Sequence, residues 1–284
     1  MRQRNVWLIA GLWALLTAGV AAAPEDRPPF FKLSYQGNHA WLLGSIHVGR
    51  ADFYPMAEPI EAAMSKAEVL VLEADPNDPE ATALVMQNML ATSPLPADLA
   101  ERLESFCQRH RLQCDPRLRP WLLGSQIAIG MMGQAGYLPQ YGVEQQLLKR
   151  FAGRPLVELE GMAYQLEVFN SFSDKAAQAM LRAAVETSDF DDIEALIGAW
   201  RQGDQQTLAA QMSEGLSADP ELFDKLMLKR NSAMSTRLVE LLAKQDRLFV
   251  AVGAGHLVGE GAIPEALAEA GVSVTDCWQA DCGL

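Results

Sequence analysis

Gly-x-x-His occurs twice in this chain, as Gly44-Ser45-Ile46-His47 and as Gly253-Ala254-Gly255-His256, and each copy follows an apolar run with strand character. Trp41-Leu42-Leu43 leads into the first and Leu248-Phe249-Val250-Ala251-Val252 into the second, so both imidazoles are expected to leave strand ends. Two further strand-like runs, residues 68–73 and 155–160, end on carboxylates, Glu73 and Glu160. Parallel sheets bind ligands outside the carboxyl ends of their strands, which predicts a cleft shared by all four groups. Two neutral imidazoles and a carboxylate (His47, His256 and Glu73) suit a divalent metal such as Mn, Co or Zn, with one position left for water. The same groups also support chemistry without a metal. A Glu-His pair, Glu73 with His47, can activate water as general base, while the second histidine or an arginine stabilises the charge that develops on the substrate. Arg230, beside Asn231 in a long helical stretch, is the arginine in a position to do so. Gly44, Gly253 and Gly255 let the backbone turn sharply after a strand. His39 and His110 have no such company and are assigned no role.

The elements that must position these groups are legible as alternating strands and helices. Residues 30–35 and 39–43 are β-like runs around Gln36-Gly37-Asn38, which predicts a hairpin. A helix is expected over 55–66 and helices dominate up to residue 152. From 162 to 244 the pattern is helical, with breaks near Ser171, Ser188, Gly203 and Ser217-Ala218-Asp219-Pro220. A strand at 248–252, a short helix at 264–270 and a last strand at 271–276 follow. The expected architecture is α+β (mixed α/β): a central mixed β-sheet opened by an N-terminal hairpin and flanked by many helices.

Composition sets the surroundings. The 284 residues carry 36 Asp and Glu against 23 Lys and Arg, a formal net charge of −13, which argues against a nucleic-acid partner. Residues 1–23 read as a secretory signal: Arg2 and Arg4, an apolar stretch over 6–20, then Ala21-Ala22-Ala23. Cleavage is expected after Ala23, leaving residues 24–284 as a single exported domain, periplasmic or secreted. The apolar stretch is shorter than the roughly 20 residues a spanning helix needs, so the processed chain is not expected to be an integral membrane protein. Four cysteines fall into two short-range pairs, Cys107 with Cys114 and Cys277 with Cys282, as expected of disulfides in an oxidising compartment. Neither spacing is the Cys-x2-Cys of a zinc site. Residues 120–143 contain no charged side chain. They read as a buried helix with a small-residue face, in which Gly130, Gly133 and Gly136 could alternatively leave room for a ligand or a mobile lid.

Taken in order, several motifs resemble one family: 42–49 (Leu-Leu-Gly-Ser-Ile-His-Val-Gly), 70–73 (Leu-Val-Leu-Glu), Gly142-Val143-Glu144, Leu159-Glu160 with Gln165, Arg230-Asn231, and 252–257 (Val-Gly-Ala-Gly-His-Leu) with Gly259. The chain resembles the TraB/GumN proteins over nearly all of its length beyond the signal. That resemblance implies a domain related to TIKI proteins, described as divalent-metal-dependent proteases, and more distantly to erythromycin-esterase-like and ChaN-like folds. It implies catalytic or metal roles for His47, His256 and Glu73, with Glu160, Arg230, Gly44, Glu144, Asn231 and Gly253 at other motif positions. The resulting expectation is an exported metal-dependent hydrolase, of TIKI peptidase type, acting on a peptide or small-molecule substrate. The alternatives are a non-catalytic protein that holds a peptide or glycan in the same cleft, and a metal-independent Glu/His hydrolase of erythromycin-esterase type. Two positions depart from the family pattern: Ser45 stands where Thr is usual, and Glu144 where Asp is usual. The extra methylene of Glu144 displaces its carboxylate by about 1.5 Å.

Overall fold

Apolar runs bounded by turns set the sheet. The computed structural model describes residues 25–187 and 190–284; the expected signal and the break at Ser188 lie outside the described residues. β1 (Phe30–Tyr35) and β2 (Asn38–Ser45) pair antiparallel as a hairpin. Its two turn residues, Gln36 at φ 50° and Gly37 at φ 90°, both have the positive φ that a type I′ turn requires. β3 (Val69–Leu72), β4 (Leu156–Glu158), β5 (Leu248–Gly253) and β6 (Ser273–Asp276) complete a mixed six-stranded sheet in the order β4-β3-β5-β2-β1-β6. β4, β3, β5 and β2 are mutually parallel, and β1 runs against both its neighbours.

Strand alternation divides the core in two. Leu70, Leu72, Phe249, Ala251, Trp41 and Leu43 face one side, where they pack with Ile60, Leu103, Phe106, Leu123, Ile127 and Leu147 from four helices: Glu58–Lys66, Ala97–His110, Pro120–Gln134 and Val143–Arg150. Val69, Val71, Leu248, Val250, Val252 and Leu42 face the other side, against Met234, Leu238 and Leu242 of helix Lys229–Leu242 and Ile263 and Leu267 of helix Ile263–Glu269. Central strands buried on both faces have to be continuously apolar, which is why β3 reads Val-Leu-Val-Leu. Leu72 is fully buried, and its truncation to Ala costs about 2–5 kcal/mol.

The strands expected at 68–73 and 155–160 are shorter in the structure, Val69–Leu72 and Leu156–Glu158. Past Leu72 and Glu158 the chains leave regular ladder geometry, and the Glu160 amide donates to the Glu73 carbonyl at 2.9 Å, which ties the two turns together. The helix expected from residue 55 starts at Glu58, with a proline in its first turn, where a missing N–H costs nothing. The uncharged segment folds as helix Pro120–Gln134 and packs on helix Asp174–Thr187. Among the described residues, no helix is long and apolar enough to cross a membrane. Both cysteine pairs are disulfides. The first spans the left-handed Arg111 (φ 53°) that caps helix Ala97–His110, and the second lies just after β6. Loops of this size add only modest chain-entropy stabilisation, so each bridge pins one local end.

Candidate active site

Four adjacent parallel strands deliver four ionisable groups to one end of the sheet, in strand order: Glu160 past β4, Glu73 past β3, His256 past β5 and His47 past β2. The two Gly-x-x-His motifs lie side by side but one residue out of step, because the β2–β5 register pairs Ser45 with Gly253 and Gly44 with Val252. After that offset the backbones diverge. Residues 254–257 coil at once into a 3-10 turn that carries His256. The first motif instead continues outward, and Trp200 Nε1 donates to the Gly44 carbonyl at 2.8 Å.

His256 is buried, its side chain 8% exposed. Its Nδ1 lies 2.6 Å from Asn231 Oδ1, while Asn231 Nδ2 donates to the Gly261 carbonyl at 2.8 Å. With the amide nitrogen so committed, Oδ1 must accept, and the proton of the neutral ring resides on Nδ1. Nε2 therefore keeps its lone pair, 3.7 Å from Glu73 Oε1. Burial pulls the imidazole below its ordinary 6.5, against the pull of Glu73, so the ring is neutral at physiological pH.

His47 has the opposite setting. Its side chain is 77% exposed and Nδ1 donates to Glu144 Oε1 at 3.0 Å. That carboxylate, through its charge and then its hydrogen bond, raises His47 to about 9; water in the cleft screens part of the attraction. Glu144 is the second residue of helix Val143–Arg150, where the helix N-terminus favours a carboxylate. It also accepts from Ser45 Oγ at 2.6 Å. Burial opposes its charge, but His47 and these hydrogen bonds hold its carboxyl below the usual range. The helix docks directly on the first motif: Val143 donates to the Ile46 carbonyl, and a Cβ on Gly142 would stand 2.3 Å from the His47 carbonyl oxygen. Only glycine permits that approach.

Arg230 joins the two strand-end glutamates. The Lys229–Leu242 helix that carries it continues from a π-helical stretch, Asp224–Leu228, a local change of helical phase of the kind that often accompanies functional sites. One guanidinium nitrogen contacts Glu73 Oε2 at 2.5 Å and Glu160 Oε2 at 2.8 Å, and Nε lies 3.0 Å from Glu160 Oε1. Gln165 Nε2 donates to both carboxylates at 3.1 Å, and the Gly253 amide donates to Glu73 Oε1 at 2.6 Å. Burial works against the Glu73 charge, but His256, Arg230, His47 and the Gly253 amide together bring its carboxyl down to about 2. Burial likewise opposes the Arg230 charge, and the two glutamates outweigh it and raise the guanidinium further.

The cleft over this centre encloses about 400 Å³ and is lined by His47, Glu73, Glu144 and Gln165, with apolar walls. A larger hollow of about 1020 Å³ lies beside the Cys107–Cys114 bridge, but none of the four groups reaches it, so size alone does not mark the site. His256 stands behind Glu73 rather than in the wall of the cleft. The pairing expected between Glu73 and His47 is divided in the structure: His47 pairs with Glu144, and Glu73 faces His256 and Arg230. Among the described residues, no three His, Cys, Asp or Glu side chains are placed to hold one metal ion. Glu73 has both oxygens engaged by Gly253, Arg230 and Gln165. Of the glycines expected to leave room beside helix Pro120–Gln134, Gly130 accommodates Leu112, whose Cδ2 would lie 2.9 Å from an added Cβ, Gly133 has open space, and Gly136 (φ 87°) turns the chain after the helix. His39 Nδ1 meets Ser34 Oγ and the His110 ring packs on Phe106, both away from the cleft.

Sequence reasoning did not pair Ser45 with Glu144, His256 with Asn231, or the Gly253 amide with Glu73. The motif positions were visible, but their partners lie 99, 25 and 180 residues away along the chain, and no local pattern links such distances.

A mixed α+β sheet with a carboxylate, imidazole and guanidinium centre at the ends of its parallel strands defines the class. The chain belongs to the TraB/PrgY/gumN family, whose family model matches residues 29–276. Similar proteins occur in Shigella flexneri and in Escherichia coli (strain K12), each named "Uncharacterized protein YbaP"; both are 28% identical to this chain, over 92% of its length and 98% of theirs. No solved structure matches the chain.

Proposed function

We propose that this protein is an exported hydrolase that cleaves a peptide by activating water at Glu73, with His256 as proton acceptor and His47 as the cation facing the substrate. The observation that carries the reading is the opposed fixing of the two rings, each held through Nδ1 by an acceptor, with His47 exposed at the cleft and His256 Nε2 buried 3.7 Å from Glu73 Oε1. Environments that push paired titratable groups apart separate base from acid. Glu73 Oε1, which carries only the Gly253 amide, takes the proton of the attacking water and passes it to neutral His256, whose Nε2 lies 3.7 Å behind it. Protonated His47 stabilises the oxyanion of the attacked carbonyl and then protonates the leaving amine. Arg230 helps keep Glu73 ionised and fixes both Glu73 and Glu160 in place without itself facing substrate. Export to the periplasm or outside the cell agrees with the two disulfides.

The TIKI resemblance implies a divalent ion on His47, His256 and Glu73, but the donors do not form one set: both Glu73 oxygens are taken, one of them by a guanidinium. No step is therefore routed through a metal. The test is hydrolysis of a peptide library by the purified protein, before and after dialysis against a chelator, with metal content measured alongside. Activity that survives chelation and is lost in both His47→Ala and His256→Ala supports the reading. Stoichiometric Mn, Co or Zn that disappears with either histidine would replace it with the metal-dependent one. Ligand capture without any product would replace it with a binding protein.

A further inference from the structure

Beyond its polar floor, the cleft is walled by Val48, Pro76, Ile129, Pro139 and Met162. Among the described residues, no Lys or Arg lines it; the nearby Arg230 is committed to Glu73 and Glu160, and His47 to Glu144. Ile129 is the residue that makes this wall unusual. It sits on the charge-free helix Pro120–Gln134, whose Leu123, Ile127 and Met131 are buried in the core, yet it is itself 51% exposed. A β-branched apolar side chain held at a concave surface favours an apolar partner over a charged one, since a charge brought there would lose water and meet ionisable groups that are already paired with one another, His47 with Glu144 and Glu73 with Arg230. Gln145 and Gln165 also line the cleft; their Nε2 groups are taken by Asn77 and by the two glutamates, which leaves their carbonyl oxygens to accept from an uncharged peptide backbone.

From this juxtaposition we infer that the cleft contains a subsite for an uncharged, apolar side chain next to the scissile bond of a peptide, and that Ile129 determines its specificity. The inference rests on the hydrolase reading for the bond beside the subsite, but binding in the subsite can be measured without turnover.

The experiment uses the full chain as exported and a panel of otherwise identical peptides carrying Leu, Ala, Asp or Lys at the tested position. It is read both as kcat/KM and as equilibrium binding by fluorescence anisotropy. In the wild type, Leu is expected to exceed Asp and Lys by at least about tenfold in both readouts, since even single methylenes in apolar pockets discriminate about 10- to 200-fold. Ile129→Ala should weaken the Leu peptide while leaving the Ala peptide nearly unchanged, and Ile129→Asp should shift preference toward Lys. Because Ile129 is half exposed, neither change should disturb folding, and circular dichroism checks this. A binding preference for Leu that Ile129→Asp abolishes, with no peptide cleaved, would keep the subsite and sink the hydrolase reading. Equal treatment of Leu, Asp and Lys in both readouts, or a preference unchanged in Ile129→Asp, overturns the subsite.

Discussion

The two Gly-x-x-His copies leave neighbouring strands of one sheet, yet His47 is 77% exposed and His256 only 8%. A carboxylate holds the first ring and raises it to about 9, whereas a neutral amide holds the second and burial lowers it. The same four-residue pattern thus places an exposed, raised imidazole in one position and a buried, lowered one in the other. The difference arises outside the motifs, from a one-residue offset between β2 and β5, a 3-10 turn after the second copy, and partners on two different helices. A motif of this kind fixes where an imidazole emerges, and its surroundings fix what it does.

The largest expected effect tests whether both rings are needed. His47→Ala and His256→Ala should each lower kcat by about 10²- to 10⁴-fold on a peptide the wild type cleaves. Full activity in either variant would end the division of labour. They should part in stability, because His256→Ala leaves the Asn231 oxygen buried and unpaired, at about 1–3 kcal/mol, whereas His47→Ala removes an exposed ring. Urea melts of the two variants compare them directly.

Next in size is the support under the buried copy. Arg230→Ala would strand Glu73 and Glu160 without a counter-charge, a loss of about 3–5 kcal/mol in the same melts. A change below 1 kcal/mol would show that the two carboxylates do not depend on that guanidinium.

The exposed copy is tested by pH. The raised pKa of His47 contributes stability that is present below its ordinary 6.5 and is lost as pH rises through about 9. If the imidazolium is the working form, kcat/KM should fall across the same upper window. Glu144→Gln should move that fall toward 6.5, with the His47 ring proton titration followed by NMR; an unmoved midpoint would remove Glu144 from the account. Glu73 runs the other way: its depressed carboxyl contributes stability above about 4.5 that is lost as pH falls toward about 2. The smallest change is expected from Ser45→Ala, which removes one hydrogen bond to Glu144 and should cost about 1 kcal/mol with a slight shift of the His47 midpoint.

Much of the framework was legible in the chain. Val69-Leu70-Val71-Leu72 and Leu248-Phe249-Val250-Ala251-Val252 are apolar at every position, and only a strand covered on both faces calls for that. The Gln36-Gly37 turn announced the hairpin for an equally local reason. Strand ends were less legible: by position alone Glu73 and Glu160 look like the last residues of their strands, but the Glu160 amide finds the Glu73 carbonyl past the end of the ladder. The two departures from the family pattern, Ser45 and Glu144, looked independent in the sequence, and in the fold they share a hydrogen bond of 2.6 Å. A shorter hydroxyl side chain thus faces a longer carboxylate.

By itself the sequence determined the mixed sheet, the two disulfide pairs and the positions from which His47, Glu73, Glu160 and His256 emerge. These follow from periodicity and turn chemistry, which act over a few residues. Tertiary structure alone decided that Arg230 would clamp both glutamates, that Asn231 would set the His256 tautomer, and that Glu144 rather than Glu73 would take His47. Protonation depends on burial and on charges within a few ångströms, and packing brings those together from parts of the chain up to 180 residues apart.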